Sequence, residues 1–210
     1  DSVQKSISYA NSQSTCRSAM ERIAVDLRGL GFSLDLDTVV PIETASEYRI
    51  TFLSDLNSNG SIGLGERITY FIDDNTSNSL VSGSQNTHDR VLRRVISTGS
   101  NPLATPQANA GQIIAYGLTQ RDSTGTPHAQ ALFKYLSPTG TNLMGTSYDP
   151  DGAVYGKTVE DSNLGKPVGS GATQVKTIFV NMVIDSEKFD NKSGRFPSIS
   201  IVGSVTPRNL

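Results

Sequence analysis

Apolar residues recur at helical spacing over the first thirty-two positions of the chain. Five of them are separated by four, three, four and three positions, which puts them on one stripe of an α-helix. They are Cys16, Met20, Ile23, Leu27 and Leu30. Val3, Ile7 and Ala10 keep the same step upstream, and Gly29 and Gly31 suit the left-handed residue at which helices end. The pattern therefore predicts one long amphipathic helix over residues 1–32, begun either by Asp1-Ser2 as a cap or further upstream.

After Phe32 the pattern changes to alternating apolar and polar residues, which is typical of strands separated by turns. The predicted strands are residues 48–53, 66–72, 79–81, 90–96, 111–119, 131–136, 174–184 and 198–206. Residues 33–47 are predicted as a connector. Residues 137–172 are predicted as a long irregular region without period, which is either an excursion on the surface or a segment that becomes ordered against a partner. One helix followed by strands predicts an α+β fold, with a long N-terminal helix packed on an antiparallel β-sheet.

The sharpest chemical motif is the twelve-residue segment 55–66, which matches the calcium-loop pattern D-x-[DN]-x-[DN]-G-x5-E at every constrained position. Calcium takes six to eight oxygen ligands, and the pattern supplies them at alternate positions. Gly60 would allow the sharp turn. The candidate ligands are the side chains of Asp55, Asn57 and Asn59, the Ser61 carbonyl, a water at Gly63 and both carboxylate oxygens of Glu66.

The surroundings of this loop differ from those of a helical calcium switch, because strands are predicted on both sides of it. With only Asp55 and Glu66 charged, we expect weak affinity, with a dissociation constant of about 10⁻⁴ to 10⁻³ M, and a structural role for the ion. The alternative is a plain hairpin loop with its turn at Asn59-Gly60. Two other acidic segments, residues 149–152 and the group Asp185, Glu187 and Asp190, are weaker candidates for metal binding.

Composition and charge narrow the function classes. The chain has 210 residues, 18% of them charged, and a net charge of −2, which argues against nucleic-acid binding by a basic surface. No apolar run is long enough to span a membrane. The single Cys16 excludes an internal disulfide and is predicted to be a buried, inert thiol.

No catalytic motif is present in the sequence. The two histidines, His88 and His128, lie in polar loop-like context, and neither a zinc-protease helix nor a nucleophile elbow occurs. We therefore expect a protein that is not an enzyme and takes no small-molecule substrate. The basic group Arg90, Arg93 and Arg94 is predicted to form a solvated strand edge.

Several segments resemble PilW-like minor pilins of type IV pili. Residues 19–32, AMERIAVDLRGLGF, resemble the helix exit of that family, where an Asp-Leu-Arg element precedes a glycine-aromatic break. The strand, acidic loop and strand over residues 50–70 are similar to the corresponding family segment, as is the end Pro207-Arg208-Asn209-Leu210. The likeness covers residues 15–72 and 174–210.

The resemblance implies a pilin-like fold, with residues 1–32 as the C-terminal half of a spine helix and residues 33–210 as a β-rich globular domain. It implies an apolar N-terminal half-helix, missing here, that anchors such proteins in the inner membrane before assembly. The implied function is a non-enzymatic minor pilin that primes assembly of a pilus or caps its tip. Its partners would be other minor pilins and the major pilin, in the cell envelope or the extracellular filament.

Three alternatives remain open at this point, one of which is a hydrolase whose catalytic residues come from distant segments of the chain. Pseudopilins of type II secretion share the family architecture, so the sequence does not separate them from pilins. A secreted calcium-dependent adhesin or carbohydrate-binding module would also accommodate the loop at residues 55–66.

Overall fold

One helix and ten strands make up the part of the chain that the structure, a computed structural model, describes. That part covers residues 2–35, 39–59, 62, 66–73, 89–97, 110–119, 130–149, 155–159, 164, 175–185 and 196–208. The helix α1 is Ser2–Arg28. The strands are β1 Ile42–Ala45, β2 Arg49–Leu53, β3 Arg67–Asp73, β4 Arg90–Ile96, β5 Gln112–Leu118, β6 Phe133–Leu136, β7 Met144–Tyr148, β8 Lys157–Val159, β9 Thr177–Asp185 and β10 Ser198–Val205.

The helix ends where the glycines predicted it to end. Gly29 N–H donates to Asp26 O at 3.1 Å and Leu30 N–H donates to Leu27 O at 3.2 Å, so the last turn tightens before it stops. Gly31 then adopts a positive φ of 73°, which L side chains adopt only with strain. The chain therefore leaves the helix sharply at residue 31.

Eight of the strands form one antiparallel sheet. Its order is β1-β2-β3-β4-β5-β9-β10, and β6 pairs with β9 beside β5. The strands β7 and β8 form a separate two-stranded sheet. Consecutive strands from β1 to β5 are neighbours, as expected of a meander joined by hairpins.

The core lies between one face of the eight-stranded sheet and the second half of α1. Strand β9 shows the alternation that places a face inward, since Ile178, Val180, Met182 and Ile184 are buried and the residues between them are half-exposed. The helix contributes a single buried stripe: Cys16, Ala19, Ile23 and Leu27, continued by Leu30 beyond its end. These residues and the inward face of the sheet form one contiguous apolar cluster.

The α+β prediction, a long N-terminal helix packed on a sheet in the pilin-like manner, is wrong. The fold is mainly β, and its antiparallel sheet is curled into a half-barrel. Only the second half of the helix lies against that sheet, because Val3 and Ile7 are 69% and 55% exposed. The step of three and four holds from Val3 to Ala10 and again from Cys16 to Leu30, but the six positions between Ala10 and Cys16 turn the stripe by about 240°.

Most predicted strands are confirmed, and the errors lie in the connections. The strand predicted at residues 79–81 lies outside the described residues. The supposed connector at residues 33–47 contains β1. The supposed irregular excursion at residues 137–172 contains β7 and β8 in its described part.

The predicted solvated edge at Arg90, Arg93 and Arg94 is also wrong, since all three residues are buried. Strands β2, β3 and β4 are buried on both faces, so their polar residues need partners inside the protein. Arg93 Nε lies 2.5 Å from Asp73 Oδ2 across the β3–β4 pair. Arg94 points to the opposite face, toward the helix.

Asp26 joins the helix to two strands of the sheet. Its Oδ2 accepts from Arg94 Nε at 2.5 Å and from the Tyr70 hydroxyl at 2.7 Å, while Arg22, four residues earlier on the helix, lies 3.5 Å from its Oδ1. Burial, with the Asp26 charge as a lesser cause, raises the pKa of Tyr70, so its phenol stays protonated as a donor. The network fixes the rotation of the helix on β3 and β4.

We expect Asp26→Asn to lower the free energy of unfolding by about 3 kcal/mol or more, because it leaves the buried Arg94 guanidinium without a carboxylate. Urea denaturation monitored by circular dichroism measures this loss. Glu21→Gln, on the exposed side of the same helix, is the matched control and should stay within about 0.5 kcal/mol of wild type. Equal stabilities of the two variants would contradict the structural role of Asp26.

Cys16 is fully buried, as predicted, and burial raises its pKa from 9.0 to about 11. The unfolded thiol therefore ionises first as the pH rises, so the stability it contributes is complete below pH 9 and is lost between pH 9 and 11. Over that range we expect the free energy of unfolding to fall more steeply in wild type than in Cys16→Ala. Parallel pH profiles from urea titrations would contradict this expectation.

Candidate calcium loop at the helix exit

The candidate loop connects β2 to β3 and forms the turn of their hairpin. The pairing ends at Leu53 and Arg67, and Ser54 N–H then donates to Glu66 O at 2.9 Å. This last bond brings both ends of the motif together, with Asp55 next to Ser54 on one strand and Glu66 on the other. The antiparallel hairpin therefore places the two charged candidate ligands on adjacent chain segments.

Backbone amides of the loop turn toward these side chains. Asn59 N–H donates to Asp55 Oδ1 at 3.1 Å and to Asn57 Oδ1 at 3.0 Å, while Asn57 N–H donates to Glu66 Oε1 at 3.2 Å. Ser58, between them, adopts a positive φ of 58°. The side chains of Asp55, Asn57 and Glu66 thus gather around one short turn of backbone.

Burial divides the candidate ligands into two groups. Asp55 is 0% exposed and Glu66 is 2% exposed, whereas Asn57 and Asn59 are exposed. Buried carboxylates require compensating charge or hydrogen bonds, and these two accept the hydrogen bonds given above. The two carboxylates of the loop therefore lie inside the protein, and the amide side chains of Asn57 and Asn59 lie at its surface.

The side-chain oxygens of the four described candidate ligands, Asp55, Asn57, Asn59 and Glu66, fit calcium. Carboxylate and amide oxygens are the hard ligands that calcium prefers, and an ion between Asp55 and Glu66 would add two positive charges to the hydrogen bonds they already accept. The predicted ligands Ser61 and Gly63 lie outside the described residues. Ile62, between them, is half-buried.

No group of three or more His, Cys, Asp or Glu side chains in the described part of the chain is arranged to hold a metal ion. The loop differs from such a group because it offers only two carboxylates, supplemented by amides. In the acidic segment at residues 149–152, Asp149 is buried and its Oδ1 lies 3.0 Å from Arg49 Nη2. Asp151 lies outside the described residues. Of the third acidic group, Asp185 ends β9, and Glu187 and Asp190 are likewise not described.

The loop is also tied to the exit of the helix. Gly31 N–H donates to Leu53 O at 2.9 Å, the Ser54 hydroxyl donates to Gly29 O at 2.7 Å, and Asp55 N–H donates to Phe32 O at 3.1 Å. Three hydrogen bonds made by the consecutive residues 53–55, at the end of β2 and the start of the loop, thus hold the turn that follows α1. The candidate ligand Asp55 is itself one of the residues that fasten the helix exit.

Comparison with known proteins leaves the family open. The chain matches no protein-family model, and no curated protein and no solved structure is significantly similar to it. The resemblance to minor pilins therefore stays a prediction. In the described part of the chain, no helix has both the length and the apolar character needed to cross a bilayer.

Sequence reasoning missed a second buried polar centre. Asp149 accepts a hydrogen bond from the Ser46 hydroxyl and pairs with Arg49, whose guanidinium carbon lies 4.9 Å from the centre of the Tyr155 ring. The Tyr135 hydroxyl donates to Ser46 O at 3.0 Å, and burial raises the pKa of Tyr135 well above its ordinary value. These contacts attach the β7–β8 hairpin to the sheet, so the role of this buried polar centre is structural.

Proposed function

We propose that this chain is a minor pilin subunit, which primes assembly of a type IV pilus or caps its tip and acts through its surfaces without catalysis. Its partners would be other minor pilins and the major pilin. An apolar helix segment preceding α1 would anchor it in the inner membrane before it enters the filament. The observation that carries this proposal is the exposed first half of α1.

The first half of the helix extends away from the sheet. In residues 6–11 five side chains are exposed and one is half-buried, and Val3 upstream is 69% exposed. An isolated helix of this length is marginal in water, so it benefits from continuity with the packed half and from any partner that covers it. Exposed valine and isoleucine on such an arm suit contact with another apolar helix.

Three of the exposed apolar residues of the helix, Val3, Ile7 and Val25, share one side of it, whereas Tyr9 lies on the opposite side. Ile7 and Val25 are eighteen positions apart, about five turns, so they lie on one line, and Val3 precedes Ile7 by about one turn. Ile7 is 55% and Val25 is 60% exposed. Between them the same side carries small exposed residues: Ala10, Ser14 and Ser18. Small residues allow two helices to approach closely, so neighbouring spine helices of a filament fit this face.

The resemblance and the loop support the same proposal. Asp26, in the Asp-Leu-Arg element of the resemblance, orients the helix on the sheet through Arg94 and Tyr70. The loop at Asp55 braces the exit of that helix. A subunit held in a filament by its helix needs a rigid junction between the helix and the globular part, and both features stiffen that junction.

We expect Ile7→Glu, introduced into the full-length protein of the producing bacterium, to abolish surface filaments, because it places a charge in the helix-packing face. The thermal unfolding temperature of this chain should change little, since Ile7 is largely exposed. Electron microscopy measures filament number. Tyr148→Glu, on the 57% exposed Tyr148 of β7, is the matched control and should leave filaments intact.

Normal filament numbers with Ile7→Glu would contradict the pilin proposal. Normal filaments together with loss of protein secretion would favour the pseudopilin alternative. Calcium-dependent binding in a glycan screen, with neither filaments nor secretion affected, would favour a secreted adhesin.

We further propose that the loop binds a structural calcium ion through Asp55, Asn57, Asn59, Ser61, Gly63 and Glu66. The bound ion would supply positive charge between buried carboxylates and so stabilise the turn that follows the helix. The buried side chains of Asp55 and Glu66 carry this part of the proposal.

We expect 10 mM calcium to stabilise wild type over chelator by about 1.4 to 2.7 kcal/mol, from a dissociation constant of about 10⁻³ to 10⁻⁴ M, and to raise the unfolding temperature by about 3–10 °C. Glu66→Gln should lose this rise, because it removes a charged ligand and keeps the shape. Asp55→Ala should lose it as well. Differential scanning calorimetry in calcium and in chelator measures the rise, and Glu21→Gln is the control.

An unfolding temperature of wild type that does not respond to calcium would reduce the loop to a hairpin turn. Equal destabilisation by Glu66→Gln in calcium and in chelator would assign Glu66 to contacts within the protein, such as the hydrogen bond it accepts from Asn57 N–H, and not to calcium. Either result leaves the filament experiment unaffected, because that experiment tests a different surface.

A further inference from the structure

Strand β10 is the last strand of the sheet, and among the described residues no segment other than β9 pairs with it. Its free edge is identified by the bonds of β9. Asn181 N–H donates to Leu132 O and Val183 O accepts from Thr119 N–H, so these groups point away from β10. Val202, which lies opposite Asn181, therefore directs its own N–H and C=O toward the free edge.

The opposite edge of the sheet is protected, whereas none of the residues that the structure describes protects the edge at β10. Strand β1 has four residues, follows Pro41, carries Glu43 and is interrupted by a bulge. It is also covered, since Thr158 bridges to Ser46 and donates to Ala45 O at 3.1 Å. Short length, proline, charge, bulges and covering are the devices by which proteins block strand addition.

Within the described part of the chain, strand β10 has none of these devices. Its eight residues, Ser-Ile-Ser-Ile-Val-Gly-Ser-Val, contain neither a charge nor a proline. Val202 is 63% exposed on the outward face, between Ser200 and Ser204. A long, uncharged edge with an exposed valine at its middle is a surface suited to pairing with another strand.

Two copies of β10 can pair with each other in antiparallel orientation without opposing residues of unlike character. In an antiparallel pair of two copies centred on Val202, Val202 faces Val202 of the second copy and Ser200 faces Ser204 on the outward side. On the inward side Ile201 faces Gly203, the residue over which Met20 packs. Apolar residues oppose apolar residues and hydroxyls oppose hydroxyls, and no charge is brought near another.

We infer that the β10 edge binds the β10 edge of a second copy of this chain, antiparallel and centred on Val202, which joins the two sheets in a two-fold dimer. The inference goes beyond the proposed function and does not rest on it, because the helix face at Ile7 and the β10 edge are different surfaces.

Sedimentation equilibrium of the purified chain should show a concentration-dependent rise from 22.4 kDa to twice that mass. Val202→Lys should hold the chain at the monomer mass, because it places two like charges opposite each other. Tyr148→Lys, at a similarly exposed residue outside β10, should dimerise as wild type does. Both substituted side chains are more than half exposed, so loss of folding is not expected.

Cysteine substitution tests the register. The Cα atoms of paired Val202 residues would lie about 5.5 Å apart, within disulfide range, so Val202→Cys should give a disulfide-linked dimer under mild oxidation. Ser198→Cys on the same strand would place its thiols about 27 Å apart and should not cross-link. Cys16 is fully buried and should not compete.

A monomer at every concentration would overturn the inference. Equal cross-linking of Val202→Cys and Ser198→Cys would also overturn it, since the contact would then be non-specific. A third outcome is that wild type is a monomer and Val202→Lys fails to assemble filaments. The β10 edge would then bind a different subunit, which overturns pairing with a second copy and leaves the pilin proposal standing.

Discussion

Burial of the second half of α1 against the curled sheet is the contact on which the rest of the structure depends. The stripe that includes Cys16, Ile23 and Leu27 is in the same apolar cluster as the inward face of β9 and its neighbours. Apolar packing sets no rotation of a helix by itself, because it is non-directional. Asp26 supplies the direction through its bonds to Arg94 and Tyr70, and the loop bonds at the helix exit complete the attachment.

The same junction gives the candidate calcium loop its importance. Asp55 belongs to the turn that fastens residues 29–32, and Glu66 closes the hairpin behind it. A cation there would stabilise more than the loop, because the hydrogen bonds from residues 53–55 reach the helix exit directly. In a subunit held in a filament by its helix, as we propose, the rigidity of that junction determines how firmly the globular part is held. Calcium in the loop and a helix-borne filament contact are therefore physically consistent proposals.

Local pattern predicted local structure well and failed where distant segments meet. Alternation in residues 174–184 and 90–96 predicted β9 and β4, and Gly29 and Gly31 predicted the end of the helix. Fold class was predicted wrongly as α+β, because a long helical pattern does not reveal how much of the helix finds a surface to pack on. The arginines of β4 were misjudged as solvated, since their partners Asp26 and Asp73 lie 68 and 20 residues away. Strands β7 and β8 have no strong alternation and depend on the buried Asp149 pair with Arg49.

The sequence by itself determined the helix and its end, most strands, the buried thiol and the oxygen-rich loop, because each follows from neighbouring residues. Spacing along a helix or strand and the conformational freedom of glycine act over a few positions only. The tertiary structure alone decided which half of α1 is covered, that the sheet curls and is buried on both faces at β2–β4, and that the loop at Asp55 holds the helix exit. It also decided that β1 is covered and that, among the described residues, only β9 pairs with β10. These features depend on contacts between segments far apart in the chain, and the burial that makes them favourable exists only once the sheet has formed.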